Sequence, residues 1–375
     1  MTQPVRLLTA VPICDGHDSA INTINLEFIR HGIEVVYLGF HRAVRDIVRA
    51  AIQEDVRAVG ISTYNGGHVE FFREVRRGLD RAGAQSIGLF GGGGGTISAA
   101  DARRMKCQGT DEIFFPGASL AEMVGFVHSR YSHPRPRSKA PSADLRLAAA
   151  LTRIENTKSA GPEVGKRRRP RVIGIAGPGG AGKTTLIDEL VLRFLQRSVP
   201  ASRVAILSHD PTIVGDGALL GDRATMIHSQ HDRVFMRSMA TRGRAGGLSP
   251  ATEGCLDLLS RQPFDLILVE TVGVGQEALP FRSDQFDVQV LVLNPDYGAR
   301  LQLQKIAMLD VAGVIVVNKA DQPRAKAASS EIGRRLAMNG GSQQLVLAEA
   351  RRHRDPGVDQ LFAALLAPSR KDAAR

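Results

Sequence analysis

Along the first third of the chain, short apolar runs alternate with segments whose apolar positions recur every three or four residues. The runs at 5–13, 34–39, 58–63, 86–90 and 112–115 have the length and composition of buried strands. Between them, 20–31 carries Ile21, Ile24 and Phe28 at helical spacing, and 44–51, 68–82, 99–106 and 120–127 read as further helices. Five βα units of this kind predict a doubly wound parallel sheet of flavodoxin-like type, with any ligand outside the carboxyl ends of the strands. The alternation resumes at 172–176 (strand), 184–195 (helix) and the strands 204–208, 266–270, 288–293, 314–317 and 345–348. The expected fold class is α/β, with two doubly wound parallel-sheet domains at 1–130 and 171–375. The linker between them, 131–170, starts proline-rich and extended and then holds a helix at 143–158 with Leu145, Leu147, Leu151 and Ile154. That helix is open to packing on either domain or to pairing with its counterpart in a homodimer.

Composition narrows the class. The chain has 375 residues, 43% of them hydrophobic, enough to bury two cores. No apolar run reaches the ~18 residues of a membrane span, and the N-terminus reads as a first strand rather than a secretion signal. Cys14, Cys107 and Cys255 lie too far apart for a disulfide framework or a zinc site, so a reducing cytosol is expected. The formal net charge is +11, part of it in the block Lys166, Arg167, Arg168, Arg169 and Arg171, which reads as a solvated linker end. Aromatic residues make up 5% of the chain with no stacking motif among them, so neither nucleic acid nor membrane is the expected partner.

Chemistry concentrates in Arg171 to Ile187, RVIGIAGPGGAGKTTLI. Its G-x-x-x-x-G-K-T pattern, between a strand and a helix, predicts a phosphate-binding loop. Gly177, Gly179, Gly180, Ala181 and Gly182 supply backbone N–H groups to phosphate oxygens, aided by the positive end of the helix that follows. Lys183 bridges the β- and γ-phosphates, Thr184 ligates Mg²⁺ through its hydroxyl, and Thr185 completes the loop. About 135 residues later, Asn318-Lys319-Ala320-Asp321 ends a strand. Its Asp321 carboxylate accepts from guanine N1–H and the exocyclic amine, which adenine does not offer, so the expected nucleotide is GTP. Lys319 lends its stem to the base. Two acidic strand ends, Asp210 and Glu270, are candidate Mg²⁺ ligands, and Glu270-Thr271-Val272-Gly273 has the shape of a GTPase D-x-x-G switch. The Gly-rich stretch 215–226 can serve as a mobile switch.

The strand ends of the first third are equally particular: Asp15-Gly16-His17-Asp18-Ser19-Ala20, then Ser62-Thr63-Tyr64, then Gly91–Gly95. Imidazole is a good ligand for a transition metal, and a nearby Asp can accept the other ring N–H. This third resembles the cobalamin-binding domain of adenosylcobalamin-dependent mutases, whose pattern is D-x-H-x-x-G, S-x-L and G-G. The gaps, 41 residues from Ala20 to Ser62 and 26 from Tyr64 to Gly91, fit that family. The resemblance implies that His17 is the lower axial cobalt ligand and Asp15 its supporting carboxylate. It also implies that Ser62 hydrogen-bonds the displaced benzimidazole tail and that Gly91 and Gly92 let that tail pass. Ala20 and Tyr64 depart from the pattern's Gly and Leu.

The C-terminal domain resembles the MeaB-type GTPase chaperones of cobalamin-dependent mutases, on GPGGAGKTTL, HDP, ALLGDRATM, VETVGVGQ and VVNKAD. The resemblance implies that Lys183, Asp210, Asp222 and Glu270 serve catalysis, with Thr184, Asp210, Asp222 and Glu270 around Mg²⁺. It is closer still to fused isobutyryl-CoA mutases, in which a large acyl-CoA-binding barrel follows the G domain; that barrel is not expected here. The chain is therefore expected to bind adenosylcobalamin and GTP, to hydrolyse GTP, and to act as small subunit and chaperone for a separate acyl-CoA mutase large subunit. Hydrolysis is expected to be slow without a partner, with Arg223, Arg237 and Arg242 as the candidates for an arginine finger. A corrinoid-methyltransferase chaperone, a cobalamin sensor and an RNA-binding GTPase are the competing classes.

Overall fold

The computed structural model describes residues 4–13, 15–16, 19–133, 136, 138, 140–157, 169–212, 217–243, 246–273, 281, 285–298, 307–338, 340–341 and 343–367. By its internal contacts the chain forms two units. One comprises Met1–Gly161, Asp210–Thr225 and Met236–Gly243; the other comprises Pro162–His209, Met226–Phe235 and Arg244–Arg375.

In the first unit the expected strands form as β1 (Arg6–Ala10), β2 (Glu34–Tyr37), β3 (Ala58–Ser62), β4 (Gly88–Gly92) and β5 (Glu112–Phe114). All pair in parallel, in the order β5-β4-β3-β1-β2, the flavodoxin-like arrangement. Successive strand residues face opposite sides. Leu7 thus packs with Phe28, Phe90 and Val127 on one face, while Leu8 packs with Ile47, Phe72 and Val75 on the other. The helix expected in the linker, Ala143–Thr157, lies within this unit, where Asp144 accepts from Gln53 Nε2 at 3.1 Å and Leu145 joins the core.

Two features depart from the sequence expectation. Gly91 and Gly92 lie inside β4 rather than after it, because they pair with Ile61 and Ser62 of β3; a Cβ on Gly91 would fall 2.2 Å from the Ile61 carbonyl oxygen and 2.6 Å from Phe72, so only glycine fits. The Gly-rich stretch holds a strand and a short helix that the sequence pattern did not announce; residues 213–216 lie outside the described residues. Ala218–Leu220, which is β8 in chain order, extends the first sheet by pairing in parallel with β2, and Asp222–Thr225 forms a short helix after it.

Buried charges hold these later segments in the first unit. Glu54, fully buried, accepts from Arg223 Nε at 3.0 Å, from Ser238 Oγ at 3.0 Å and from the Ser238 backbone N–H. Glu34 accepts from Arg6 Nη2 at 2.8 Å and Arg242 Nη2 at 2.9 Å. Glu155 accepts from Arg6 Nη2 at 2.9 Å and Arg237 Nε at 2.9 Å.

The second sheet is made of β6 (Arg171–Ala176), β7 (Val204–Asp210), β9 (Val234–Ala240), β10 (Leu266–Glu270), β11 (Val288–Leu293), β12 (Val314–Val317) and β13 (Gln344–Leu347); it belongs to the second unit except for Asp210 and the residues of β9 from Met236 on, which are counted with the first. The seven-stranded sheet runs β13-β12-β11-β6-β10-β7-β9. β6 sits centrally between β10 and β11, both parallel to it, so its carboxyl end opens at the middle of the sheet. Within the basic block, Lys166–Arg168 lie outside the described residues, whereas Arg171 is not merely solvated. Its Nε and Nη2 donate to the Leu365 and Ala367 carbonyls at 2.7 and 2.6 Å, closing the end of the helix Pro356–Leu366. Among the described residues, no helix is long and apolar enough to cross a membrane.

Candidate functional site

The phosphate loop is set by the break between β6 and the helix Lys183–Arg197. Gly182 caps that helix at φ 85°, a left-handed conformation, and a Cβ there would come within 2.5 Å of Asn318 Nδ2. Glycine is required on both counts. Gly177, Gly179, Gly180 and Ala181 form the turn ahead of it. Lys183 is buried, with its ammonium donating to the Pro178 carbonyl at 3.3 Å. The Thr184 hydroxyl donates to Glu270 Oε1 at 2.8 Å, and the Ser208 hydroxyl reaches Glu270 Oε2 at 3.4 Å. Gly273, three residues on, lies against the Gly179 backbone. A hydroxyl and a buried carboxylate this close are hard oxygen donors suited to Mg²⁺, with phosphate oxygens and waters left to fill the octahedron. Among the described residues, no three His, Cys, Asp or Glu side chains gather as a self-sufficient metal site.

The 318–321 loop is joined to the phosphate loop by one side chain. Asn318 is buried; its Nδ2 donates to the Ala181 carbonyl at 2.9 Å and its Oδ1 accepts from the Ala350 N–H at 3.0 Å. The next residue, Lys319, takes φ 60°, a strained value for a side chain of its size. Gly182, Thr185, Asn318, Lys319, Asp321 and Arg351 line a cavity of about 210 Å³. Lys183, Thr184, Glu270, Asn318 and Asp321 therefore all belong to the second unit. Asp210 closes β7 and Asp222 opens the short helix after β8, and both are counted with the first unit.

The arginine-finger candidates are otherwise engaged. Arg223 and Arg237 are fully buried on Glu54 and Glu155, and Arg242 donates to Glu34. They have partners because a guanidinium enters a protein interior only when paired. Two residues given no role on sequence grounds now have one. His209, from the HDP stretch, is buried and donates from Nδ1 to the Glu270 carbonyl at 2.7 Å, fixing the strand end that presents the carboxylate. Arg351 contacts Asp321 at 2.7 Å. The first was signalled by the acidic strand end beside it; the second had no sequence signal.

In the first unit, a slot of about 210 Å³ opens at the carboxyl ends of the strands. Ser62, Tyr64 and the backbones of Gly91–Gly94 form one side, and Ile21, Ile24 and Phe28 line the apolar remainder. Asp15 is fully buried and accepts from the Tyr64 N–H, tying the first strand end to the third. Ala20 lines the slot as well, small enough to leave it open. An apolar slot with the hydroxyl-bearing residues Thr9, Ser62 and Tyr64 and a glycine wall suits a flat heteroaromatic tail. His17 lies outside the described residues.

The family described as methylmalonyl Co-A mutase-associated GTPase MeaB matches residues 147–366, and the B12 binding domain matches residues 5–124. The fused isobutyryl-CoA mutase of Geobacillus kaustophilus is 35% identical over 401 residues, covering 98% of this chain and 37% of its own length. That of Nocardia farcinica is 37% identical over 353 residues, covering 90% of this chain and 33% of its own. The mouse protein named methylmalonic aciduria type A homolog, mitochondrial, is 33% identical over 206 residues, covering 54% of this chain and 47% of its own. The chain thus spans about a third of the length of the fused mutases it matches.

Proposed function

The chain belongs to the MeaB family of methylmalonyl-CoA mutase-associated GTPases and carries a B12-binding domain ahead of the GTPase domain, and from that premise we propose that it is the small subunit and built-in chaperone of an adenosylcobalamin-dependent acyl-CoA mutase. On this reading the substrate-binding part is a separate large subunit, the setting is cytosolic, and GTP binding and hydrolysis gate cofactor loading or repair. The observation that carries it is the pairing, in one chain, of the slot at Ser62 and Gly91–Gly94 with a phosphate loop joined to the 318–321 loop through Asn318. Adenosylcobalamin, once bound, would supply a weak cobalt–carbon bond for radical chemistry. This chain's part would be to hold the cofactor: His17 as cobalt ligand, Asp15 orienting it, Ser62 bonding the tail, and Gly91 and Gly92 leaving room for it. For the nucleotide, Lys183 neutralises the phosphates, Thr184 and Glu270 hold Mg²⁺ directly or through water, and Asp321 reads guanine.

The test is reconstitution. Chain loaded with adenosylcobalamin is mixed with a barrel-only mutase subunit, and mutase activity is followed with GDP, with GTP and with a non-hydrolysable GTP analogue. Nucleotide-dependent activation is expected; identical activation under all three conditions sinks the gating.

Two single-residue predictions accompany it. His17→Ala should lose the absorbance spectrum of the His-ligated, base-displaced cofactor, and an unchanged spectrum removes His17 from the role. Asp321→Asn should weaken GTP binding by roughly 10- to 100-fold, the value of a hydrogen bond to a charged group, while ATP stays weak. Unaltered purine selectivity in equilibrium titrations would undo the guanine argument.

A further inference from the structure

The carboxylate proposed to read guanine already holds a partner. Arg351, in the loop after β13, donates from Nη2 to Asp321 Oδ2 at 2.7 Å, and its Nε lies 3.4 Å from Glu349 Oε1. Both residues line the cavity beside Gly182 and Asn318. A guanidinium is a flat carbon bearing three nitrogens, with N–H donors directed in its plane. The N1–H and exocyclic amine of guanine belong to the same kind of unit, a ring nitrogen and an amino nitrogen on one carbon. An ionised carboxylate only accepts, so the side chain and the base compete for the same oxygens.

We propose that Arg351 is an intramolecular stand-in for guanine, capping Asp321 in the nucleotide-free protein and leaving when the base enters. The proposal rests on the guanine reading above and adds a residue that sets nucleotide affinity. The backbone of its loop is anchored. The Ala350 N–H donates to Asn318 Oδ1 at 3.0 Å, and the Glu349 N–H donates to Asp355 Oδ1 at 3.1 Å. The Arg351 side chain is 73% exposed and that of Asp321 27%. The cap can therefore leave by rotation of its own side chain into water, with no movement of the loop. The same exposure limits its strength. Exposed ion pairs shift an equilibrium by up to about fivefold, and this one uses a single carboxylate oxygen. Apparent affinity falls by the fraction of protein whose site is uncovered. Meanwhile the ion pair keeps Asp321 oriented toward the cavity.

The test compares wild type with Arg351→Gln, using fluorescent GDP and GTP analogues in stopped flow and at equilibrium. The variant should bind both about two- to fivefold more tightly, through faster association and unchanged dissociation. The advantage should close toward one at about 0.5 M salt, where exposed ion pairs are screened. Arg351→Lys, which keeps the charge but lacks the planar fork, should fall between the two. Binding by Arg351→Gln that is equal to or weaker than wild type overturns the cap, as does tightening that appears only in the dissociation rate. Should the wild type itself bind neither guanine nucleotide while still taking up cobalamin, the guanine reading fails first and takes the cap with it.

Discussion

Lys183→Ala will lose GTP turnover by about 10²- to 10³-fold and leave cobalamin binding intact. Magnitudes of this order follow when one preorganised charge is removed from a site where negative charge develops. The phosphate loop contains this one cation, and its ammonium lies within the turn, on the Pro178 carbonyl at 3.3 Å, with the side chain buried. Burial makes the charge effective, because water does not screen it there. The backbone N–H groups of the loop and the helix end remain in the variant, so nucleotide binding should weaken less than turnover. Single-turnover hydrolysis gives the rate, and titration with adenosylcobalamin followed by absorbance gives the control. Turnover within about threefold of wild type would show that charge on the phosphates is neutralised elsewhere. Loss of cobalamin binding in the same variant would point instead to a fold-wide effect, which thermal melting separates.

That control is informative because the two sites lie in different units, a division that the sequence only partly displays. The strands of both sheets are legible wherever an apolar run meets a glycine or an acidic strand end. The phosphate loop is legible because its spacing is itself the geometry. What stays hidden depends on distant partners. Arg6 interrupts the first apolar run and reads as a flaw in a strand, until Glu34 and Glu155 are brought to it from 28 and 149 positions away. Arg237 does the same to β9, which is fully buried yet carries a guanidinium at its centre. Ala218–Leu220 is too short to outweigh the glycines at 217 and 221, and its pairing with β2 links residues more than 180 positions apart. Local propensity carries no information on such contacts. Asp321 was legible from its motif, but the arginine that covers it was not, because nothing near Arg351 in sequence marks it as facing a carboxylate 30 positions away.

Glu54→Ala should cost the first unit about 3–5 kcal/mol, the usual effect of removing one partner from a buried ion pair. The carboxylate is fully buried, and so is Arg223, which would keep its charge with Glu54 gone. The N–H and hydroxyl of Ser238 would lose their acceptor as well. Domains are stable by about 5–15 kcal/mol, so such a loss should separate the melting of this unit from that of the other. The double variant Glu54→Ala/Arg223→Ala should be less unstable than the sum of the single changes, since the stranded charge leaves with its partner. Additivity within about 0.5 kcal/mol would mean that the pair is not coupled. Acid supplies a second reading of the same network. Burial alone would raise the pKa of Glu155, but Arg237, Arg6 and Arg242 outweigh it and hold the carboxyl at about 2, below its ordinary 4.5. A depressed carboxyl stabilises the folded state at pH values above its unfolded pKa, and that stability drains as pH falls from about 4.5 toward 2. Urea midpoints measured across that window should fall for wild type and change less for Glu155→Gln, which has no proton to take up there. Parallel slopes for the two proteins would place the acid sensitivity in other carboxylates.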